Sequence, residues 1–351
     1  MAKLEEEAQV ERPASEEPSL RRQFFRLRTL LAFAASAVII YLVVSRMNID
    51  LAKTWEIIAR VDPARLALAM VIYYSAFPIR GLRWRLLFKN VGFDEGGNRE
   101  LPSSWTLARL MAMGWFANCI LPAKLGDAYR AFLAKREMGT SFSKTAGTVL
   151  AERVIDIMIV FGLLALASLA VLNSIQSEVA VNIMRVGVAL VAVMSVGLVG
   201  MARFGGFFQK LLPQRFQGIY QLFHEGTFHS FRNLPVIGLL SVAVWLAEAG
   251  RVYLVAWSLG FTLAPGLALF AALTDALLVG IPFVPGGLGL VEAGLIGVLM
   301  LAPGVTGEEA ASMALLDRSL SYWSILVLGA LMHLWGFRGL RARRARLYAS
   351  D

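Results

Sequence analysis

Long apolar runs, separated by short and mostly basic clusters, make up most of the chain. A helix needs about 20 apolar residues to cross a hydrocarbon core of about 30 Å. Six runs approach that length, and we interpret them as full spans: 29–45, 65–79, 147–172, 181–202, 234–259 and 310–336. This pattern predicts an all-α polytopic membrane protein with about six spans.

Two further apolar stretches are interrupted by helix-breaking residues. The first, 104–121, ends at Pro122, and the second, 266–302, is broken near its middle. The residues that break the second stretch are Pro282, Pro285, Gly286, Gly287 and Gly289. Backbone left unpaired at membrane depth must be covered by protein or line a water-filled cavity. We therefore expect two broken or re-entrant helical hairpins, which are typical of transporter binding sites.

The composition agrees with this class. Hydrophobic residues make up 57% of the chain and charged residues 17%, against about 25% charged in an average soluble domain. The mean hydropathy of +0.62 excludes intrinsic disorder of the whole chain. The single cysteine, Cys119, excludes an internal disulfide, and the three histidines lack the spacing of a metal site. No cofactor and no metal are expected.

The net charge of +9 is interpreted as a signal of membrane topology. Five segments that we assign to the cytoplasm hold 25 basic and 13 acidic residues, whereas the predicted outer loops hold three and six. Those five segments are 1–28, 80–103, 122–146, 203–233 and 338–351. A nucleic-acid partner is therefore not expected, and both termini are placed in the cytoplasm.

This assignment divides the chain into three parts. Residues 1–28 are expected to be a disordered cytoplasmic tail with a basic end, 29–337 the membrane domain, and 338–351 a polybasic tail. The amphipathic stretch 203–233 fits either a helix in the membrane interface or a solvated loop.

The two interrupted regions resemble each other. LPAKLGD (121–127) is followed by AERVID (151–156), and VPGGLGL (284–290) is followed by LDRSLS (316–321). Each pair places an acid–arginine dipeptide at the start of a long apolar run. With the termini in the cytoplasm, the two hairpins enter from opposite faces, so an inverted repeat is predicted. Chance similarity between short segments is the alternative.

Ionisable residues within apolar runs are functional candidates because burying a charge is costly. Arginine forks and open helix N-termini bind phosphate well, so we predict a lipid-headgroup site. The residues assigned to it are Asp127, Arg130, Glu152, Arg153, Asp156, Gly286, Gly287, Glu292, Asp317 and Arg318. The alternative is that these charges pair with one another and hold helices together. Glu248 and Arg251 have the spacing of such a pair, and Asp275 is a further ionisable residue in an apolar run.

Arg80, Arg83 and Trp84 follow the second predicted span. Arginine with tryptophan at that position is typical of an interfacial anchor. A site where lipid enters the protein is the alternative.

These motifs together resemble the flippase-like membrane region of lysylphosphatidylglycerol synthases. The resemblance covers about residues 30–337 and depends on RGLRW (80–84), Asn118 with LPAKLGDAYR (121–130), AERVID (151–156), PGGLGLVEAG (285–294) and DR (317–318). It implies movement of a lipid or lipid-linked headgroup between leaflets. Bifunctional members also carry an aminoacyl-transferase domain. Because this chain ends at Asp351, soon after the last span, we expect a stand-alone member without that activity.

The expected partner is a membrane phospholipid or a polyprenyl-linked lipid, in the cell (inner) membrane of a prokaryote. No catalytic residues are assigned. Two alternatives stay open: an integral membrane enzyme acting on a lipid, and a scaffold for a lipid-modifying synthase or glycosyltransferase. A homo-oligomer is a further expectation.

Overall fold

The computed structural model describes residues 27–94, 100–121, 123–172, 178–281 and 284–334, which are helical and contain no strand. The predicted all-α class is confirmed. The polar N-terminal residues and the predicted polybasic tail 338–351 lie outside the described residues, as do Pro122 and Pro282.

The helices follow one another with short connections. In chain order they are α1 (Leu27–Arg46), α2 (Leu51–Ala59), α3 (Pro63–Asn90), α4 (Ser104–Ile120), α5 (Leu125–Met138), α6 (Phe142–Leu172), α7 (Glu178–Leu211), α8 (Gln214–His229), α9 (Leu234–Ser258), α10 (Pro265–Gly280), α11 (Leu290–Leu299) and α12 (Gly307–Arg318). A 3₁₀ turn at Pro285–Gly287 precedes α11, and a π-helical turn at Ser319–Trp323 carries α12 onward to Leu334.

Each of the six predicted spans coincides with a helix, but six crossings are not confirmed. By length and hydropathy, two helices of the described part of the chain qualify as spans, Leu234–Ser258 and Gly307–Leu334. A third qualifies if Phe33–Arg46 and Leu51–Ala59, which meet at a bend of 96°, count as one span. Integral membrane character is therefore supported, and the number of crossings stays a prediction.

The second predicted span differs in extent from its helix. The apolar run was expected to end at residue 79, whereas α3 continues without interruption to Asn90. Its second half carries several basic residues, yet Arg83 and Trp84 are almost fully buried there. Arg80 and Arg83 are therefore part of the protein interior rather than of a flanking loop.

Two sets of four helices follow the same packing order. In the first set α3 packs on α4, α4 on α5 and α5 on α6; in the second set α9, α10, α11 and α12 pack in the same sequence. The long helices α3 and α9 pack against each other, and α10 also packs on α6. The second helix pair of each set, α4–α5 and α10–α11, is the interrupted region and forms a helical hairpin.

The first hairpin turns between α4 and α5. Ala123 and Lys124 both adopt left-handed backbone conformations, with φ of 60° and 55°, and α5 begins at the next residue. The Asn118 side chain accepts a hydrogen bond from the Gly126 N–H at 2.8 Å. A Cβ at Gly126 would lie 2.0 Å from the Gly114 carbonyl oxygen, so only glycine permits this approach of the two helices.

The second hairpin turns between α10 and α11. Gly286, Gly287 and Gly289 all have positive φ, which explains the glycine-rich sequence. The Glu292 side chain accepts a hydrogen bond from the Gly289 N–H at 2.6 Å and closes the start of α11. Both interrupted regions are therefore helix–turn–helix hairpins, as predicted, although their position relative to a membrane stays a prediction.

The amphipathic stretch 203–233 is mainly helical rather than a plain loop. It contains the end of α7 and all of α8, and α8 packs on α6. On α7, Val193, Val196 and Phe204 are among the apolar side chains that are more than half exposed. A row of exposed apolar residues on one helix is suited to contact with lipid.

Candidate functional site

An ion pair holds the first hairpin against α6. Arg153 donates to both carboxylate oxygens of Asp127, at 3.0 and 2.8 Å. Asp127 lies in the first turn of α5, where a carboxylate also interacts favourably with the helix dipole. The tip of the first hairpin is thereby fixed to the next long helix.

A matching pair holds the second hairpin against α12. Arg318 donates to Glu292 at 3.0 Å and to the Gly286 carbonyl at 2.8 Å. Each arginine follows its acid by 26 residues in both halves of the chain. The two halves therefore repeat an interaction as well as a short sequence.

A buried cluster around Arg83 joins α3, α6 and α9. Arg83 donates to Glu152 at 2.8 Å, to Asp156 at 3.0 Å and to the Ser241 hydroxyl at 2.7 Å. Glu152 is also 3.0 Å from Arg130, whose guanidinium lies 4.9 Å from the centre of the Trp84 ring. Glu152 and Asp156 share one helix face, as their spacing of four predicts.

A second cluster surrounds Arg251 on α9. Its guanidinium donates to Glu248 at 3.2 Å, to Asp275 at 3.3 Å and to Asp317. Glu248 also accepts from Arg80 at 2.7 Å. The predicted Glu248–Arg251 pair is present, and it is part of a larger network that joins α3, α9, α10 and α12.

A cavity of about 390 Å³ lies between the two sets of helices. Its wall combines aromatic and aliphatic side chains with charged groups of both signs. The charged and titratable residues on the wall are Tyr73, Arg80, Cys119, Lys124, Asp127, Arg153, Asp156, Glu248, Arg251, Asp275, Arg318 and Tyr322. Cavities of this size and mixed lining are typical of small-ligand and headgroup sites.

The two hairpins meet at this cavity. Lys124, at the tip of the first hairpin, donates to the Val279 carbonyl near the end of α10. Tyr322, in the π-helical turn, donates to the Cys119 carbonyl at 2.8 Å. π-Helical turns are frequent at functional sites. The cavity therefore lies beside the contacts that join the two halves of the chain.

Six of the thirteen residues singled out from the sequence line the cavity: Arg80, Asp127, Arg153, Asp156, Gly286 and Arg318. The other seven are not part of the wall: Arg83, Trp84, Arg130, Glu152, Gly287, Glu292 and Asp317. The alternative of internal ion pairs also applies, because each of the charged members contacts an opposite charge in the structure.

One sequence interpretation needs correction. Trp84 is 0% exposed and Arg83 1%, so neither side chain reaches a membrane interface as an anchor. Arg130 is also 1% exposed and is not among the residues of the cavity wall, and its contact with a headgroup stays a prediction. Arg130 neutralises Glu152 behind the wall.

Several wall residues were missed when the site was assigned from the sequence. Glu248, Arg251 and Asp275 stood out as ionisable residues in apolar runs but were not assigned to the site. The charge count places Lys124 in a predicted cytoplasmic segment, and nothing in its short motif distinguishes it from a cytoplasmic charge. The aromatic residues Tyr73, Trp115 and Trp245 carry no signal because aromatic residues are common throughout the apolar runs.

Four wall residues present a buried polar atom that has no hydrogen-bond partner among the described residues. These atoms are Arg80 Nη1, Trp245 Nε1, Asp275 Oδ1 and Ser321 Oγ. Buried polar groups are normally paired, so such atoms indicate where a ligand would bind. Two are donors, one is an acceptor and one is both. No group of three His, Cys, Asp or Glu residues in the described part of the chain is arranged to hold a metal ion.

Taken together, these features define a helical integral membrane protein with two hairpins around a charged central cavity. The comparisons give its family. A family model described as the lysylphosphatidylglycerol synthase TM region matches residues 29–329, and the chain belongs to that family.

Relatives come from archaea. A UPF0104 membrane protein of Methanocaldococcus jannaschii is 32% identical over 219 residues, which cover 62% of this chain and 92% of the relative. Another from Methanothermobacter thermautotrophicus is 27% identical over 293 residues, covering 76% and 81%. Glycosyltransferase AglD of Haloferax volcanii is 26% identical over 321 residues, covering 80% of this chain and half of AglD.

Proposed function

We propose that this protein moves a lipid or lipid-linked headgroup between membrane leaflets through the cavity between the two hairpins. The observation that carries the proposal is the cavity itself. Its wall carries charges of both signs, which suit a polar headgroup and not the apolar tails of a lipid. Membership of a family described as the lysylphosphatidylglycerol synthase TM region supports a lipid as the ligand.

The wall chemistry suits a phosphate-bearing headgroup. Arg80 and Trp245 offer unpartnered donors, and arginine is well matched to phosphate oxygens. Asp275 and Ser321 offer acceptors to a hydroxyl or amine on the same headgroup. Phospholipids and polyprenyl-linked phosphates both have this chemistry.

The repeated architecture supports alternating access. Each hairpin is held to the following long helix by one acid–arginine pair, and both hairpin tips contact the same cavity. We propose six spans with two re-entrant hairpins that enter from opposite faces, and both termini in the cytoplasm of a prokaryotic cell. In such an inverted repeat, opening one hairpin exposes the cavity to one side and opening the other exposes it to the opposite side.

Reconstitution of the purified chain into liposomes tests the proposal. Fluorescent lipids with phosphoglycerol, phosphoethanolamine, sugar-phosphate and polyprenyl-phosphate headgroups would be placed in one leaflet, and their movement followed with a membrane-impermeant quencher. We expect faster movement of at least one headgroup than in protein-free liposomes. Movement of none of them, with or without an ion gradient, would contradict the proposal.

A second candidate is a membrane partner for a glycosyltransferase. The similarity of this chain to half of a protein named glycosyltransferase favours it. Co-purification of this chain with a glycosyltransferase, together with unchanged partner activity when the cavity is filled by Ala276→Trp, would favour this role over transport.

A further inference from the structure

The network around Arg251 contains more negative than positive groups. Three carboxylates, those of Glu248, Asp275 and Asp317, contact Arg251, and only Glu248 has a second arginine partner, Arg80. Two guanidinium groups therefore face three carboxylates. Breaking up charge pairing in a buried site is costly, and protonation of one carboxylate would leave one arginine for each remaining carboxylate of this network.

Of the three carboxylates, Asp275 makes the weakest contacts with arginine. It has one contact with Arg251, at 3.3 Å through Oδ2, while its Oδ1 has no hydrogen-bond partner among the described residues. Glu248 is bound at 2.7 and 3.2 Å by two arginines. Asp317 also has an unpartnered oxygen, but it is 1% exposed and lies off the cavity wall. Asp275 is 7% exposed and is part of the wall.

Arg251 is the one charged group that makes an ion pair with Asp275 among the described residues. The other titratable and charged residues on or directly behind this part of the wall are Tyr73 and Arg80 on α3, Cys119 on α4, Lys124 and Asp127 on the first hairpin, Arg153 and Asp156 on α6, Glu248 on α9, Glu292 on α11, Asp317 and Arg318 on α12, and Tyr322 in the π-helical turn. Arg153 and Arg318 bind Asp127 and Glu292, and Asp156 binds Arg83. Within the described residues, Asp275 therefore has a single ion-pair partner, Arg251.

The position is also specific to one half of the chain. Asp275 lies five residues before the end of α10, and the residue five before the end of α4 is Trp115. Trp115 lies under the Arg80 guanidinium, 4.4 Å from its ring centre. The two hairpins therefore match in their ion pairs, and Asp275 has no titratable counterpart at the same distance from the end of α4.

We propose that Asp275 takes up and releases a proton during transport and thereby couples movement of the headgroup to a proton gradient. The Asp275 carboxylate binds one proton from the side to which the cavity is open and becomes a neutral carboxylic acid. Arg251 keeps Glu248 and Asp317 as partners, and the proton leaves to water on the other side after the cavity has changed access. This inference rests on the proposed transport function and names the proton gradient as its driving force.

Two measurements on the full chain test it. In the first, infrared difference spectra between acidic and alkaline buffer record the C=O stretch of protonated carboxyl groups in wild-type protein and in Asp275→Asn. Asp156→Asn is the matched control, because Asp156 lies on the same wall but binds Arg83 through both oxygens. We expect a titrating band that Asp275→Asn removes and Asp156→Asn retains.

In the second, movement of fluorescent lipid in liposomes is compared with and without a pH gradient. We expect the wild-type rate to change with the gradient, and the ratio of the two rates to fall to one in Asp275→Asn. A titrating band that survives Asp275→Asn, or a wild-type rate that ignores the gradient, would overturn the inference while leaving transport intact. If wild-type protein moved no lipid at all, the proposed transport function would be wrong. Proton coupling would then be wrong as well, whatever the infrared spectra show.

Discussion

The two hairpin-holding ion pairs lead to a quantitative prediction, because they have the same chemistry but different exposure. The Arg318 side chain is 4% exposed and its partner Glu292 13%, whereas the Arg153 side chain is 36% exposed and Asp127 18%. Removing one partner of a buried pair costs about 3–5 kcal/mol. A pair that reaches solvent contributes about 1 kcal/mol or less. We therefore expect Arg318→Ala to destabilise the protein several-fold more than Arg153→Ala.

The assay is unfolding of detergent-purified protein, followed by tryptophan fluorescence. Arg318→Ala should lower the melting temperature clearly more than Arg153→Ala. Adding Glu292→Gln to Arg318→Ala should recover part of the loss, since it removes the carboxylate left without a partner. Equal losses for the two single variants, or no recovery in the double variant, would refute the assignment of Arg318 as a buried anchor of the second hairpin.

Two further predictions concern the first hairpin and the buried tryptophan. Gly126→Ala should prevent α4 and α5 from packing closely and lower the yield of folded protein, because its Cβ would meet the Gly114 carbonyl. Gly162→Ala, which has open space around its Cβ, should be neutral or slightly stabilising by about 1 kcal/mol. Size-exclusion profiles of the two variants would check this. Trp84→Ala should cost about 3–5 kcal/mol in the same unfolding assay, as expected for a fully buried side chain, while Trp105→Ala, at a position that is 72% exposed, should cost little. Similar losses for both tryptophan variants would restore the interfacial interpretation of Trp84.

The helices and hairpins could be predicted from the sequence because they follow from local patterns. Apolar runs predict the helices, and the proline and glycine residues of the sequence segments 122–126 and 282–289 predict a break between them. The repeat of the two halves was also visible, and the equal spacing of Asp127–Arg153 and Glu292–Arg318 strengthens it.

The location of the charges could not be predicted in the same way. Counting basic clusters assigned Arg80, Arg83 and Arg130 to cytoplasmic segments, yet all three are buried. Their partners are distant in the chain: Arg83 binds Glu152, 69 residues away, and Arg80 binds Glu248, 168 residues away. A single sequence shows that a charge is present but does not show whether tertiary packing brings it a partner. The positive-inside rule applies to charges in water, and these arginines are in the protein interior.

The same reasoning explains why part of the cavity wall was found and part was missed. Residues beside the hairpin turns were assigned because the turns are visible in the sequence. Arg251 and Asp275 lie within uninterrupted helices, and only the packing of α9, α10 and α12 brings them together with Asp317.

The most direct test of the account is whether filling the cavity stops lipid movement. Ala276 lies on the cavity wall, so Ala276→Trp adds a large side chain there, while Ala37→Trp adds the same side chain at an exposed position on α1. Both would be reconstituted with the headgroup that the wild-type protein moves, after their folding has been matched by size exclusion. We predict that Ala276→Trp abolishes movement and that Ala37→Trp retains the wild-type rate. Wild-type movement by folded Ala276→Trp would contradict a headgroup path through the cavity.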